Sequence, residues 1–427
     1  MSPLLNNVTC PYCWDEFRPE NVLWIAATEN MRGDLRLGED YQRFLPTRFD
    51  VNGNALDSRG NVCNRLACPN CHLEVPRSIL ETPMFFMSIF GAPASGKTVY
   101  LASLMDRLKE ILQLDFRVRF EDTDPVGNAR IAINSDALFR NPHPEVSTTI
   151  NKEIVKTPVG GTFLHTVNFG GADVREFPQA FMYTMQPQDG HPVLDSQSNY
   201  GRILCLYDNA GEAFDPSQPR YLETQTAHLA KSKLLLFTFD PTLDARLQLR
   251  ILEKAPHRLN RIPTISQEPF LQSTATRIRT IRGLNSQDRH DAPLIVVVTK
   301  FDVWSDLIDD FDRDSVPWRQ VNSRLGVVNA VDHAEILEMS DRIRKFLEQT
   351  TPEVVTAAES SFDQVIFVPV SSLGWQNAPG DVVVEGGDRT WDYRIRPIDI
   401  RPFWVEVPVL YGISQALPQL LPGLPRG

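Results

Sequence analysis

The chain has 427 residues, 42% of them hydrophobic and 23% charged, with a formal net charge of −11 and a pI near 5.3. That length holds two or three packed domains, and the hydrophobic share excludes a disordered polyelectrolyte. The acidic balance argues against nucleic acid gripped by bulk electrostatics, and no run of 18 apolar residues offers a membrane span.

The opening residues lack the basic start and long apolar stretch of an export signal, so a cytoplasmic location is expected. The chain has six cysteines, four of them in Cys10-Pro11-Tyr12-Cys13 and Cys68-Pro69-Asn70-Cys71. Each C-P-x-C turn aims two thiolates at one point, and two such turns complete a tetrahedral Cys₄ site for Zn²⁺. Redox pairs are disfavoured because neither turn sits in a βαβ context. Four thiolates leave no open coordination position, so the metal is expected to be structural. Cys63 and His72 are alternative ligands, more simply read as a spare thiol and a surface ring. The long stretch between the turns requires an insertion, with a strand near Asn21 to Ala27 and a hairpin turn at Asn52-Gly53-Asn54. Residues 1–82 therefore read as a zinc-ribbon module.

Next comes an apolar run, Met84 to Phe90, suited to a buried parallel strand. It leads into Gly91-Ala92-Pro93-Ala94-Ser95-Gly96-Lys97-Thr98, a complete G-x-x-x-x-G-K-[ST] sequence. Helical spacing from Thr98 through Val99 to Leu114 follows. Strand, Gly-rich turn and helix N-terminus form an anion nest: backbone N–H groups converge on phosphates and the helix dipole favours their charge. In this arrangement Lys97 reaches the β and γ phosphates and the Thr98 hydroxyl ligates Mg²⁺.

Residues 121–200, rich in Pro, Gly and Asn, read as an insertion, with Ala180 to Met185 as an antiparallel edge strand. The strand Arg202 to Tyr207 then ends in Asp208-Asn209-Ala210-Gly211-Glu212. An Asp there can hold Mg²⁺, and a Gly three residues on lets its N–H approach a γ-phosphate. A further strand, Lys233 to Phe239, precedes a second insertion, 241–292, which carries arginines at Arg246, Arg250, Arg258, Arg261, Arg277, Arg279, Arg282 and Arg289. They read as a solvated helix face, with an acidic partner or nucleic acid as the lesser alternative. Pro293 to Val298 is the strongest strand signal and runs into Thr299-Lys300-Phe301-Asp302. There a carboxylate can accept two hydrogen bonds from guanine, which adenine does not offer, while the Lys300 stem covers the base. Gln364 to Val370 is the last strand, followed by Ser371-Ser372-Leu373-Gly374, whose N–H groups suit the guanine O6. Residues 376–403 read as an irregular excursion, and Val407 to Leu421 as a closing helix broken near Pro418.

In order, GAPASGKT, DNAG, TKFD and SSLG resemble the motifs of P-loop GTPases of the Ras and translation-factor (TRAFAC) class. Thr299 stands where that class usually has Asn, and Ser372 where it usually has Ala. The resemblance implies an α/β fold, a P-loop NTPase three-layer sandwich with a mostly parallel sheet, over residues 83–427 with insertions at about 121–200, 241–292 and 376–403. It implies GTP and GDP as ligands with Mg²⁺, hydrolysis of GTP to GDP and phosphate, and a protein partner reading the nucleotide state. A zinc ribbon joined to such a domain is similar to bacterial GTPases of conflict or signalling systems.

Two elements of that class are not placed. The switch threonine has five candidates, Thr148, Thr149, Thr157, Thr162 and Thr166, and no arginine finger stands out. Glu212 occupies the position where the class often has a water-orienting Gln, so turnover is expected to be slow without a partner. The alternatives are an ATPase of a related P-loop class, or a catalytically silent GTP-binding scaffold that recruits a partner through the zinc module.

Overall fold

The computed structural model describes residues 3–150, 154, 164–194, 200–208, 223–256, 259, 263–323, 326–375, 382–385, 388–391 and 394–424. Its centre is a seven-stranded sheet: β1 (Met84–Gly91), β2 (Val118–Asp122), β3 (Ala180–Pro187), β4 (Arg202–Asp208), β5 (Leu234–Phe239), β6 (Leu294–Val298) and β7 (Val365–Pro369). The order across the sheet is β2-β3-β4-β1-β5-β6-β7. Pairing is parallel from β4 to β7, and β3 runs antiparallel to both its neighbours. The architecture is mixed α/β around a mostly parallel sheet. The strands β5 (LLLFTF) and β6 (LIVVV) are buried at every position, which is why their sequences run apolar without alternation. Segment 180–185 is antiparallel as expected, but it is not the edge. β2 caps it, because Val118 and Phe120 alternate with charged residues and bury one side of an outer strand.

The helix α1 (Lys97–Leu114) follows β1 directly and buries Leu101, Leu104, Leu108, Ile111 and Leu112. Alternation along the strands sorts side chains between two cores. Phe85, Met87 and Ile89 of β1, Leu204 and Leu206 of β4, and Phe181 and Tyr183 of β3 share a core with α1. The intervening Phe86, Ile203, Cys205, Tyr207 and Met182 point into a second core with the amino-terminal residues. There, short strands around Leu23–Ile25 form a four-stranded sheet, and the hairpin of Leu164–Asn168 with Val174–Pro178 joins the same core through Val167 and Phe177. Tyr207 belongs to the sheet yet packs among the cysteine turns.

The first insertion contributes α2 (Ala129–Phe139), which lies against α1. The second supplies α3 (Ala245–Lys254) and α4 (Glu268–Arg282). Arg246 pairs with Asp244 and Glu353, and Arg282 with Asp291, so these arginines are engaged within the chain. Beyond β6 stand α5 (His333–Thr350) and α6 (Pro352–Ser361), with α5 against β7. Segment 376–403 is not wholly irregular. Val382–Glu385 pairs with Asp388–Trp391 and Arg394–Ile395 with Thr148–Thr149, as β-branched and aromatic residues favour. The closing helix α7 (Val407–Ala416) stops before Pro418, which disfavours helical backbone at the preceding residue.

Candidate functional sites

The two cysteine turns are built alike. Trp14 N–H donates to the Cys10 carbonyl (3.1 Å) and His72 N–H to that of Cys68 (3.0 Å). Tyr12 N–H donates to Cys10 Sγ (3.4 Å) and Asn70 N–H to Cys68 Sγ (3.3 Å). Trp14 and His72 both take left-handed backbone, φ 58° and 62°, closing each knuckle. The four sulfurs lie within 4.8 Å of one another, with Cys10 to Cys71 and Cys13 to Cys68 both at 3.7 Å. A Zn–S bond of about 2.3 Å gives a tetrahedral edge of about 3.8 Å, so the cluster fits a zinc site. Burial pushes the Cys10 thiol up, whereas hydrogen bonds from Cys10, Cys68 and Cys71 hold Cys13 down. Four converging thiolates need a cation to offset their charge. Neither alternative ligand joins them: His72 Nδ1 meets Asp34 Oδ1 (2.9 Å), and Cys63 Sγ lies 3.6 Å from the Asn61 carbonyl.

The GAPASGKT, TKFD and SSLG runs and Asp208 occupy the carboxyl ends of neighbouring parallel strands, the edge where open α/β sheets bind ligands. Ile89 of β1 is level with Asp208 of β4, Gly91 with Thr238 of β5, and Val298 of β6 with Pro369 of β7. Close approach of β5 requires Gly91: a Cβ there would lie 2.2 Å from Thr238 Oγ1 and 2.6 Å from its carbonyl oxygen. Gly96 opens α1 at φ 89°, a left-handed conformation that glycine adopts without strain. Ala92 and Ser95 are buried, Pro93, Thr98 and Val99 half-buried, and Ala94 exposed with φ 61°. Lys97 is buried and its ammonium donates to the Gly91 and Ala92 carbonyls, each at 3.0 Å.

Distant segments are tied together here by side chains. Thr299 Oγ1 donates to the Ser95 carbonyl (3.0 Å), joining the TKFD run to the Gly-rich loop. Ser371 Oγ donates to Asp302 Oδ1 (2.6 Å) and accepts from Gly374 N–H (2.9 Å). Ser103 Oγ of α1 donates to the Ser372 carbonyl (2.9 Å), and Leu373 packs with Val99 against a small core. Lys300, in left-handed backbone at φ 54°, pairs with the fully buried Asp240 (2.6 Å). Asp240 in turn caps the turn after β5 and exchanges two backbone bonds with the Gln267 amide.

Several expected residues are placed elsewhere or not at all. Gly211, Glu212, Thr157 and Thr162 lie outside the described residues. Thr166 is exposed on the hairpin that packs with the cysteine module, and Thr148 and Thr149 sit on the short strand paired with Arg394–Ile395.

Sequence reading missed three groups around this edge. Arg130 of α2 bonds Asp208 (Nη2 to Oδ2, 2.9 Å), with side chains 5% and 1% exposed. Asp240 was legible only as the end of a strand. Tyr207 Oη accepts from Trp14 Nε1 (3.0 Å) and donates to the Pro11 carbonyl (2.5 Å). An Asp at a strand terminus was the available signal for the second. Nothing in the spacing pointed to Arg130 or to Tyr207.

No family model and no curated protein sequence matches this chain. Among solved structures, the GTPase-like domain of Ski7 from S. cerevisiae, bound to GTP, is similar at 14% identity with a TM-score of 0.21. The match covers 68% of this chain and 43% of that one, so this chain spans less than half of the neighbour's length. Among the described residues, no helix is long and apolar enough to cross a membrane.

Proposed function

We propose that the chain binds guanine nucleotide on a P-loop three-layer sandwich and hydrolyses GTP as a partner-read switch, with residues 1–82 as a zinc-bearing docking module. The observation that carries this reading is convergence. Phosphate loop, Asp208, the TKFD run and the SSLG run are remote in sequence, yet side-chain bonds join three of them and strand register sets Asp208 level with Ile89, two residues before the loop. The antiparallel β3 beside β4 also agrees with the sheet expected of the TRAFAC class.

Each residue has a task in this reading. The N–H groups of Ala94 to Thr98, with the α1 dipole behind them, hold the phosphates. Lys97 exchanges its two carbonyl contacts for phosphate oxygens. Thr98 hydroxyl and Asp208 carboxylate are hard oxygen donors suited to Mg²⁺, which when bound offsets the charge on the transferred phosphoryl group. Asp302 accepts from the guanine N1–H and 2-amino groups, and the Ser371 bond fixes its carboxylate plane. Asp240 holds Lys300 so that its stem lies along the base. The SSLG N–H groups meet the base oxygen.

A competition titration tests the reading: GTP and GDP should displace a labelled guanine nucleotide, and ATP should not. If ATP competes as well as GTP, the guanine assignment is wrong and a related ATPase replaces it. Single-turnover phosphate release then separates the hydrolysing switch from a silent scaffold.

A further inference from the structure

Arg130 is set in place with care. Asn128, fully buried at the start of α2, donates from Nδ2 to Asp122 Oδ1 (2.9 Å) and to the Met182 carbonyl (2.7 Å), and its Oδ1 accepts from Met182 N–H (2.9 Å). Two residues on, the Arg130 guanidinium lies 5.0 Å above the Phe181 ring and reaches the carboxylate that ends β4. The pair is almost wholly removed from water. Burying both charges carries a desolvation penalty that can exceed their mutual attraction, so a pair buried this deeply is weak evidence of a purely stabilising role.

Under the nucleotide reading, Asp208 is also a Mg²⁺ ligand, and a guanidinium and Mg²⁺ held at one carboxylate repel each other. We propose that Arg130 is a resident counter-ion that competes with Mg²⁺ for Asp208, making the site refuse Mg²⁺ until a nucleotide arrives. The nucleotide tips the competition twice. Its phosphate oxygens add ligands for the metal, and they give the released planar guanidinium a bidentate partner. Arg130 is thus a positioning residue in the empty state, supplied from within the chain by the segment between α1 and β3. It makes Mg²⁺ and nucleotide binding interdependent, as reciprocal linkage demands.

The test uses the full chain and two readouts other than turnover. Thermal unfolding is followed against MgCl₂ without nucleotide, and GDP affinity is titrated across MgCl₂ concentrations. Wild type should show almost no melting shift with MgCl₂ alone. Arg130→Ala should melt lower in metal-free buffer, recover several degrees with millimolar MgCl₂, and need about tenfold less Mg²⁺ for half-maximal GDP binding. Arg130→Lys keeps the charge but loses the fork, so its Mg²⁺ requirement should fall between the two, and it decides the matter if the alanine variant does not fold. Asp208→Asn should remove the Mg²⁺ response from either background. An unchanged Mg²⁺ requirement in both Arg130 variants would overturn the proposal. Failure of wild type to bind GDP at any MgCl₂ concentration would instead strike the nucleotide reading, while the nucleotide-free melting curves still judge Arg130.

Discussion

The cysteine cluster and the phosphate edge handle charge in opposite ways. At the cluster, two knuckles of matching geometry bring four sulfurs to one point, each closed by backbone bonds within its own turn. At the sheet edge, four segments meet that share no local geometry, and the charged groups are already engaged: Lys97 with loop carbonyls, Asp208 with Arg130, Lys300 with Asp240. A closed centre of thiolates has nothing left to do but hold. An edge of provisional partnerships can exchange them for a ligand. The two regions touch at Tyr207, whose hydroxyl bridges the first knuckle to the residue next to Asp208.

The sharpest way to break this contrast is at the metal. Cys68→Ser should lose the single zinc per chain expected by elemental analysis and destabilise the protein by at least about 5 kcal/mol, given the size of structural-zinc binding energies. A folded wild-type protein containing no zinc would remove the closed centre altogether. On the other side, Asp302→Asn should move preference from guanine to xanthine nucleotides, whose 2-keto group accepts from the amide. A site built on such paired bonds discriminates by roughly 10⁴-fold, read from competition titrations, and unchanged selectivity would place the base elsewhere.

The junction itself is tested by Tyr207→Phe, which removes the Oη acceptor for Trp14 and the donor to Pro11. The cost should be about 1–3 kcal/mol in urea unfolding, with zinc retained. No loss would mean that the two regions merely abut. The last effect appears in acid. His228 stacks on Tyr207 (4.7 Å) and bonds Ser88 Oγ (2.6 Å), and burial pushes its imidazole down to about 3 from 6.5. The folded chain keeps this ring neutral while the unfolded chain protonates it. Its contribution is therefore complete above pH 6.5 and lost at about 1.4 kcal/mol per pH unit as pH falls from there towards 3. His228→Gln should flatten the acid side of a stability–pH curve by that slope. An identical curve would show that other groups govern acid unfolding.

Much of this sheet edge was legible because its loops and strands are written in short runs. GAPASGKT carries its own turn, charge and hydroxyl, and the strands before TKFD and SSLG announce themselves through unbroken burial. The paired knuckles were legible for the same reason. The outer β2 and the hairpin within 376–403 were not, since short segments in long connections give only weak periodicity, whereas α5 buries Ile336, Met339, Ile343 and Leu347 at helical spacing that the sequence carries.

What the sequence by itself determined was the set of local devices: two cysteine turns, one Gly-rich loop opening a helix and a series of buried strands, each specified by neighbours a few residues apart. Only the tertiary structure decided which devices answer one another. It seated Tyr207 among the knuckles, bent Arg130 onto Asp208 and set Asp240 beneath Lys300. Those pairings join residues from separate elements, and spacing along the chain carries no record of which charge a fold will bury against which.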